Sequence, residues 1–287
     1  MPETIDELVD ILSLEPLGEG VWRGRNAHND KQRVFGGQVL AQALMAAYQT
    51  VPGDRVAHSF SAYFLRAGRV GTPIDYRVEA VRDGGSFSAR RVVADQDGRE
   101  LFAMDSSFHL AEPGLRHADE QPRDVPPPYK CPKLADVMGG RSIASIEQWA
   151  QEFGLVDARF ASQVAAEPSP DARMKIWIRS ATRLPDDPRV HQAFLAYASD
   201  LTLLAVSAVP HPVVFLGPGM QVASINHSMW FHRPARADEW LLYDQVSPSA
   251  SSGLGFSFGR LFHAGRLIAS AAQEGLIRVL EPVSGLR

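Results

Sequence analysis

Three polar residues lie in stretches that are otherwise apolar, and a carboxylate, a hydroxyl and an amide that converge could form a chemical site. Asp200 lies in a predicted helix at the margin of its apolar stripe, and Gln273 lies on the small, apolar face of the last predicted strand. Ser224 lies in a strand before it, on the face that alternation gives to Val222 and Trp230. Buried polar groups need partners. The three side chains could satisfy one another or form a site, and the pattern alone leaves both open.

One motif of nucleophilic catalysis is present but lies in the wrong context. Residues 255–259 read Gly-Phe-Ser-Phe-Gly, which matches G-x-S-x-G with Ser257 at its centre. That motif works on a strand–turn–helix corner, with an acid and a histidine following in the chain. Here it lies in an alternating strand, and His263 is the only later histidine. The sequence therefore argues against a serine nucleophile.

The distribution of histidine and cysteine predicts no metal site and no cofactor. The nine histidines include no H-E-x-x-H pattern. His227 and His232 are five residues apart on one predicted strand, and therefore on opposite faces. We interpret both as structural side chains. Cys131 is the only cysteine, which excludes an intramolecular disulfide and a multi-cysteine metal site.

Two further features are weaker candidates for contact with a substrate. Gly36 and Gly37 begin a predicted helix, whose first backbone N–H groups could bind an anion or a carbonyl oxygen. His58 begins a predicted strand and could serve as a general base. A hydrogen-bonded histidine at a strand end is the interpretation we prefer.

The elements that would position these residues occur twice along the chain. Aligning Gly98 with Gly265 gives an offset of 265 − 98 = 167. Without a gap, this offset also aligns several further residues of the same type, namely Ser61 with Ser228, Phe64 with Phe231, Arg66 with Arg233, Arg69 with Arg236, Tyr76 with Tyr243 and Arg99 with Arg266. A repeat of this length predicts two copies of one structural unit. Two β-rich stretches of one larger domain are the alternative.

Each copy has a long helix followed by a meander of strands, which is an α+β arrangement. In the first unit the helix is predicted at 36–50 and the strands at 57–65, 74–81, 87–94 and 100–109. In the second, a strand at 173–182 precedes a helix from about 189 to 205, with strands at 222–232, 240–246, 254–262 and 267–278. We predict units at 1–110 and 171–287. Residues 111–170 form a proline-rich connector, with helical cover at 136–160.

Composition argues against two classes of partner. Lysine and arginine number 29 against 33 aspartates and glutamates, giving a net charge of −4, so no basic field points to nucleic acid or a membrane surface. No stretch approaches the roughly 18 apolar residues that span a bilayer. The sequence predicts a cytoplasmic protein without a nucleic-acid or membrane partner.

Three segments carry a resemblance to a known family. They are HSFSAYFLRA at 58–67, NHSMWFHRP at 226–234 and AQEG at 272–275. Together they resemble the acyl-CoA thioesterase II (TesB-like) family, and the resemblance extends from residue 14 to 278. It implies a double hot-dog fold, in which two long helices are each wrapped by an antiparallel sheet and the two sheets join into one.

The resemblance also implies an activity and a set of site residues. The implied reaction is hydrolysis of medium- to long-chain fatty acyl-CoA to free fatty acid and CoA, without a covalent intermediate. Asp200, Ser224 and Gln273 would hold and activate the water, with Ser224 where many bacterial members have threonine. Residues implied or considered for contact with acyl-CoA are Gly36, Gly37, His58, Arg66 and Arg233, with Arg90, Arg91 and Arg260 as further candidates for the CoA phosphates.

The first unit does not repeat the polar set, so we predict one site per chain. At the offset of 167, Ser106 stands opposite Gln273. The resemblance favours a homo-oligomer, either a dimer or a tetramer. Two alternatives stay open: a hot-dog enoyl-CoA hydratase, for which we find no suitably spaced Asp and His, and a non-catalytic acyl-CoA-binding module.

Overall fold

The computed structural model describes residues 4–26, 33–139, 154–162, 171–217 and 219–280, without the side chains of 138 and 139. The α-helices in these ranges are α1 (Ile5–Leu12), α2 (Gly36–Tyr48), α3 (Leu134–Gly139) and α4 (Pro188–Ser199), and the short 3-10 helices are Pro128–Lys130 and Leu204–Ala208. None of the helices within the described ranges has the length and apolar character needed to cross a membrane.

The strands of the described residues form one antiparallel sheet. In chain order they are β1 (Glu15–Gly18), β2 (Val21–Gly24), β3 (Arg55–Phe64), β4 (Ile74–Asp83), β5 (Phe87–Gln96), β6 (Arg99–Leu110), β7 (Val156–Phe160), β8 (Arg173–Ser180), β9 (Met220–Phe231), β10 (Leu241–Ser251), β11 (Leu254–His263) and β12 (Arg266–Val279). Their spatial order is β1-β2-β4-β5-β6-β3-β9-β12-β11-β10-β8-β7. The pairing of β3 with β9 confirms the prediction that the two sheets join into one.

The join between the halves is centred on two serines. Ser61 lies opposite Ser228, and Ser228 Oγ donates a hydrogen bond to Ser61 Oγ at 2.9 Å. Their numbers differ by 228 − 61 = 167, which is the offset of the sequence repeat. The flanking pairs are Ser59 with Trp230 and Tyr63 with Asn226. Because each flanking pair maps onto the other by the same offset, a local twofold axis passes through the join.

The two long helices pack together on the inner face of the sheet. Every residue of α2 from Gly37 to Tyr48 is buried, and α4 buries most of its length against it. The alanines of α2 at 41, 43, 46 and 47 are fully buried, so backbone and neighbouring elements approach closely on several sides. This packing places the first turn of α2 beside the last turn of α4.

The second long helix is shorter than predicted. It ends at Ser199 rather than near residue 205, and Asp200 is its C-cap instead of a residue within it. The side chains of Ser199, Asp200 and Thr202 each make a hydrogen bond to a side chain of the sheet. Their partners are, respectively, His227, Gln273 and Gln245. Such tertiary bonds compete with a further helical turn, and their presence could not be predicted from the apolar spacing.

The prediction of helical cover at 136–160 is wrong in its last part. Helix α3 ends at Gly139, residues 140–153 lie outside the described part, and Val156–Phe160 form β7. This strand pairs with β8 at the edge of the sheet, and Val156 and Ala158 are buried while Asp157 between them is only partly buried. That alternation is typical of a strand. The unit boundaries at 110 and 171 stay a prediction.

The proline-rich segment covers the outer side of the second half of the sheet. Cys131 packs there with Trp177, Leu242 and Phe262 in a small second core. The indole N–H of Trp177 donates to Pro126 O at 2.8 Å. The connector therefore contributes to burial and does more than link the halves.

Candidate active site

Asp200 presents a buried carboxyl at the end of α4. Its side chain is only 3% exposed. Burial raises its pKa to about 7, although hydrogen bonds from Gln273, Gly37 and Ser224 oppose the shift. The negative end of the helix dipole also disfavours the carboxylate form. A carboxyl with a pKa near neutrality is suited to accept a proton and give it back.

The structure brings Asp200, Ser224 and Gln273 together. Gln273 Nε2 donates to Asp200 Oδ1 at 2.5 Å and to Ser224 Oγ at 2.8 Å. The Ser224 hydroxyl makes a longer hydrogen bond of 3.4 Å to the same carboxylate oxygen. A carboxylate from α4, a hydroxyl from β9 and an amide from β12 therefore meet at one helix–sheet contact.

Ser224 reaches this cluster because β9 contains a β-bulge. Gln273 lies opposite His227, Glu274 opposite Asn226 and Gly275 opposite Ser224, so Ile225 is an extra residue on β9. An extra residue reverses the face to which the preceding side chains point. The prediction that Ser224 shares a face with Trp230 is wrong for this reason, since Trp230 is 42% exposed.

The start of α2, which belongs to the first half, completes the surroundings of Asp200. The backbone N–H of Gly37 donates to the Asp200 carboxylate. A Cβ at Gly36 would lie 2.8 Å from Asp200 Oδ2, and one at Gly37 would lie 2.5 Å from Tyr197 O. Close approach to a backbone oxygen thus requires glycine at position 37, whereas a Cβ at position 36 would displace the side chain of Asp200. In this structure the Gly37 N–H is therefore bonded to the carboxylate, and contact of Gly36 or Gly37 with a ligand stays a prediction.

His227 is a neighbour of the cluster whose position the sequence did not reveal. It is fully buried, with Nδ1 3.8 Å from Asp200 Oδ1. The pair is not ionic, because burial lowers the pKa of His227 to about 3. Ser199 Oγ donates to Ala196 O and therefore accepts from His227 Nε2 at 2.9 Å. This leaves Nδ1 unprotonated and facing Asp200.

The remaining predicted contact residues lie elsewhere on the sheet. His58 Nε2 bonds to Ser107 Oγ at 2.8 Å. Arg66 donates to Glu100 O and Arg233 to Leu267 O, both at 2.7 Å. The two arginine contacts are related by the offset of 167, and each lies at the end of the equivalent strand in its half of the sheet. Each of the other arginine candidates has an acidic partner, and the pairs are Arg90 with Asp83, Arg91 with Asp105 and Arg260 with Asp244.

The cluster also offers acceptors that no described protein group satisfies. Gln273 Oε1 and His227 Nδ1 are buried and have no hydrogen-bond partner among the described residues. The hydroxyl of Ser257, which lies directly opposite Gln273 in β11, has none either. Nowhere in the described ranges do three or more His, Cys, Asp or Glu side chains stand together as metal ligands. The cluster therefore combines a carboxyl that can take a proton, Asp200, with an unpaired hydrogen-bond acceptor, Gln273 Oε1.

Comparison with known proteins finds similarity over both halves. The sequence model of the family described as acyl-CoA thioesterase matches residues 159–276, and that of the acyl-CoA thioesterase N-terminal domain matches residues 25–109. Acyl-CoA thioesterase 2 of Haemophilus influenzae is 35% identical over 288 residues, which cover 98% of this chain and 100% of that protein. Acyl-coenzyme A thioesterase 8 of Homo sapiens is 36% identical over 297 residues, covering 96% and 89%.

Solved structures show the same similarity. The crystal structure of acyl-CoA thioesterase II TesB2 from Mycobacterium marinum superposes with a TM-score of 0.81 at 40% identity. The superposition covers 97% of this chain and 100% of the TesB2 chain. A protein with a hot-dog fold from Alicyclobacillus acidocaldarius superposes with a TM-score of 0.77 at 21% identity. The similarity therefore includes the whole double architecture.

Proposed function

Because this chain belongs to the acyl-CoA thioesterase family, we propose that Asp200, Ser224 and Gln273 are the residues with which it hydrolyses its substrate. The enzyme cleaves the thioester bond of acyl-CoA. The observation that carries the assignment is the contact of Gln273 Nε2 with both Asp200 Oδ1 and Ser224 Oγ. Release of free thiol from a long-chain acyl-CoA, followed with a thiol reagent, tests the activity.

The proposed reaction uses a water molecule as nucleophile. One hydrogen of the water is donated to Asp200 and the other to Gln273 Oε1, which leaves a lone pair directed at the thioester carbon. As the oxygen–carbon bond forms, Asp200 takes the first proton and the carbonyl oxygen becomes an oxyanion. Collapse of this intermediate breaks the carbon–sulfur bond, and the departing thiolate takes the proton from Asp200. The products are a fatty acid and CoA, and no bond to the enzyme forms.

The raised pKa of Asp200 predicts how activity depends on pH. The group acts as a base only when ionised, so kcat/KM should rise about tenfold per pH unit below 7 and level off above it. The sign follows from burial, which raises the pKa to about 7. Measurement of kcat/KM between pH 5.5 and 8.5 checks this. A profile that is flat from pH 5.5 to 7 would show that Asp200 is not the base.

We further propose that the substrates have medium- to long-chain acyl groups. A largely apolar pocket of about 360 Å³ lies at the ends of the same strands, and its lining includes Ile277, four residues beyond Gln273 on β12, and Met220 at the start of β9. We expect Ile277→Trp to lower kcat/KM for long-chain acyl-CoA about tenfold or more while short-chain hydrolysis stays within about twofold. Equal effects on both chain lengths would place the acyl tail elsewhere.

The assembly of the enzyme and its location in the cell are two further proposals. We propose a homo-oligomer, a dimer or a tetramer, since Tyr63 and Trp230 are exposed on either side of the local twofold axis, and exposed aromatic side chains are typical of protein interfaces. Light scattering of the purified protein would determine the mass of the particle. The cytoplasmic location stays a prediction, which cell fractionation tests.

A further inference from the structure

The β-bulge that turns Ser224 inward lies between the two strand residues of the cluster. Ser224 is on one side of the extra residue Ile225, and the regular pairing of Gln273 with His227 is on the other. Strand registers are fixed by side chains and by hydrogen bonds. Something must therefore stabilise the irregular register here against the regular one, in which Ser224 would face outward.

Asn226 makes a hydrogen bond at this place. Its Oδ1 accepts from the backbone N–H of Glu274 at 3.0 Å. Asn226 directly follows the bulge residue on β9, and Glu274 directly follows Gln273 on β12. A side-chain oxygen thus bonds a backbone N–H at the point where the ladder changes register. This hydrogen bond matters because a backbone N–H that is left without an acceptor in a sheet costs free energy of folding.

We propose that Asn226 is a positioning residue for hydrolysis, which stabilises the bulge and so holds Ser224 and Gln273 toward Asp200. The proposal rests on the proposed roles of those three residues. Asn226 has no hydrogen bond to Asp200 among the described contacts, and it acts through Ser224, two residues earlier, and through the backbone beside Gln273. Bulges near active sites commonly serve to redirect a side chain.

Two substitutions of similar size distinguish the effect of losing the hydrogen-bond acceptor from the effect of changing the volume of the side chain. Asn226→Leu removes the oxygen, and we expect kcat to fall about 10–100-fold with KM changed by less than about threefold, since misplacement of about 1 Å costs up to about 10²-fold. Asn226→Asp keeps an oxygen at the same position and should retain kcat within about threefold. Wild-type kcat in Asn226→Leu, or an equal loss in Asn226→Asp, would overturn the proposal.

A double-mutant cycle tests whether the effect passes through Ser224. If it does, Ser224→Ala combined with Asn226→Leu should be no slower than the slower of the two single variants, because the second change displaces a hydroxyl that is already absent. Multiplying losses would mean that Asn226 acts independently of Ser224 and would contradict the proposal.

A crystal structure of Asn226→Leu separates this proposal from the proposed function. We expect the bulge to be lost, with Ser224 Oγ on the outer face and out of contact with Asp200. A retained bulge with the Ser224–Asp200 contact intact overturns the inference whatever the kinetics show. If Ser224→Ala alone is fully active, the proposed role of Ser224 in hydrolysis fails, and the structure of Asn226→Leu still decides whether Asn226 stabilises the bulge. Should Asn226→Leu not fold, Asn226→Ser, whose oxygen lies one atom closer to the backbone, carries the same expectations.

Discussion

Asp200→Asn is expected to lower kcat for acyl-CoA hydrolysis by about 10²–10⁴-fold, the range that general bases contribute. The amide keeps the shape of the carboxyl but cannot take a proton from water. KM should change little, because the substrate is bound by other parts of the molecule. Steady-state thiol release from a long-chain acyl-CoA gives both constants, and thermal unfolding establishes that the variant is folded.

Asp187→Asn is the matched control for this variant. Asp187 caps the opposite end of the same helix, where its side chain accepts from Arg189 N. Asparagine caps helices as well as aspartate does, so we expect wild-type kcat within about twofold. If Asp200→Asn retained more than about a tenth of wild-type kcat, another group would have to be the base, and the assignment of Asp200 would be wrong.

Gly37→Ala should damage stability and catalysis together. A Cβ at this position would lie 2.5 Å from Tyr197 O and would also overlap the ring of Phe35. Because a backbone oxygen cannot move aside cheaply, α2 and α4 must separate. We expect a loss of about 1–3 kcal/mol in the free energy of unfolding, or a fall in Tm of about 2–10 °C. Displacement of the N–H that bonds Asp200 should lower kcat up to about 10²-fold.

Gly53→Ala provides the comparison for this substitution. Nothing lies within 4 Å of a Cβ at Gly53, so neither Tm nor kcat should change noticeably. Thermal unfolding and thiol release below the Tm of each variant measure the two effects separately. A Gly37→Ala variant that is destabilised but has wild-type kcat would mean that the start of α2 supports the fold without positioning Asp200.

The sequence predicts a site residue well where the direction of its side chain follows from the regular alternation of a strand. Gln273 alternates with small buried residues along β12, so its inward direction could be read from the pattern, and the structure has it buried. Ser224 could not be placed in this way, because the extra residue Ile225 reverses its face. A bulge depends on pairing with another strand, which local periodicity does not contain. For Ser224, the resemblance to a family supplied what the pattern could not.

In the fold as well, features that follow from the sequence repeat could be predicted, whereas features that depend on tertiary contacts could not. The offset of 167 aligns Ser61 with Ser228, and these residues prove to be the centre of the join between the sheets. The end of α4 does not follow from the sequence, because it depends on hydrogen bonds between the helix end and the sheet, from His227 to Ser199 and from Thr202 to Gln245. The closeness of Asp200 to Gly37 was missed for a similar reason, since residues so far apart in the chain meet only when two helices pack.

The central claim is that water held by Asp200 attacks the thioester directly, and a single turnover in H₂¹⁸O with enzyme in excess tests it. Direct attack predicts that the fatty acid of the first turnover carries one ¹⁸O and that peptides containing Asp200 carry none. If Asp200 instead attacked the thioester carbon, a mixed anhydride would form, and attack of water at its aspartyl carbon would place the ¹⁸O in the aspartate. The first-turnover fatty acid would then be unlabelled, with ¹⁸O in Asp200, and that result would contradict the account.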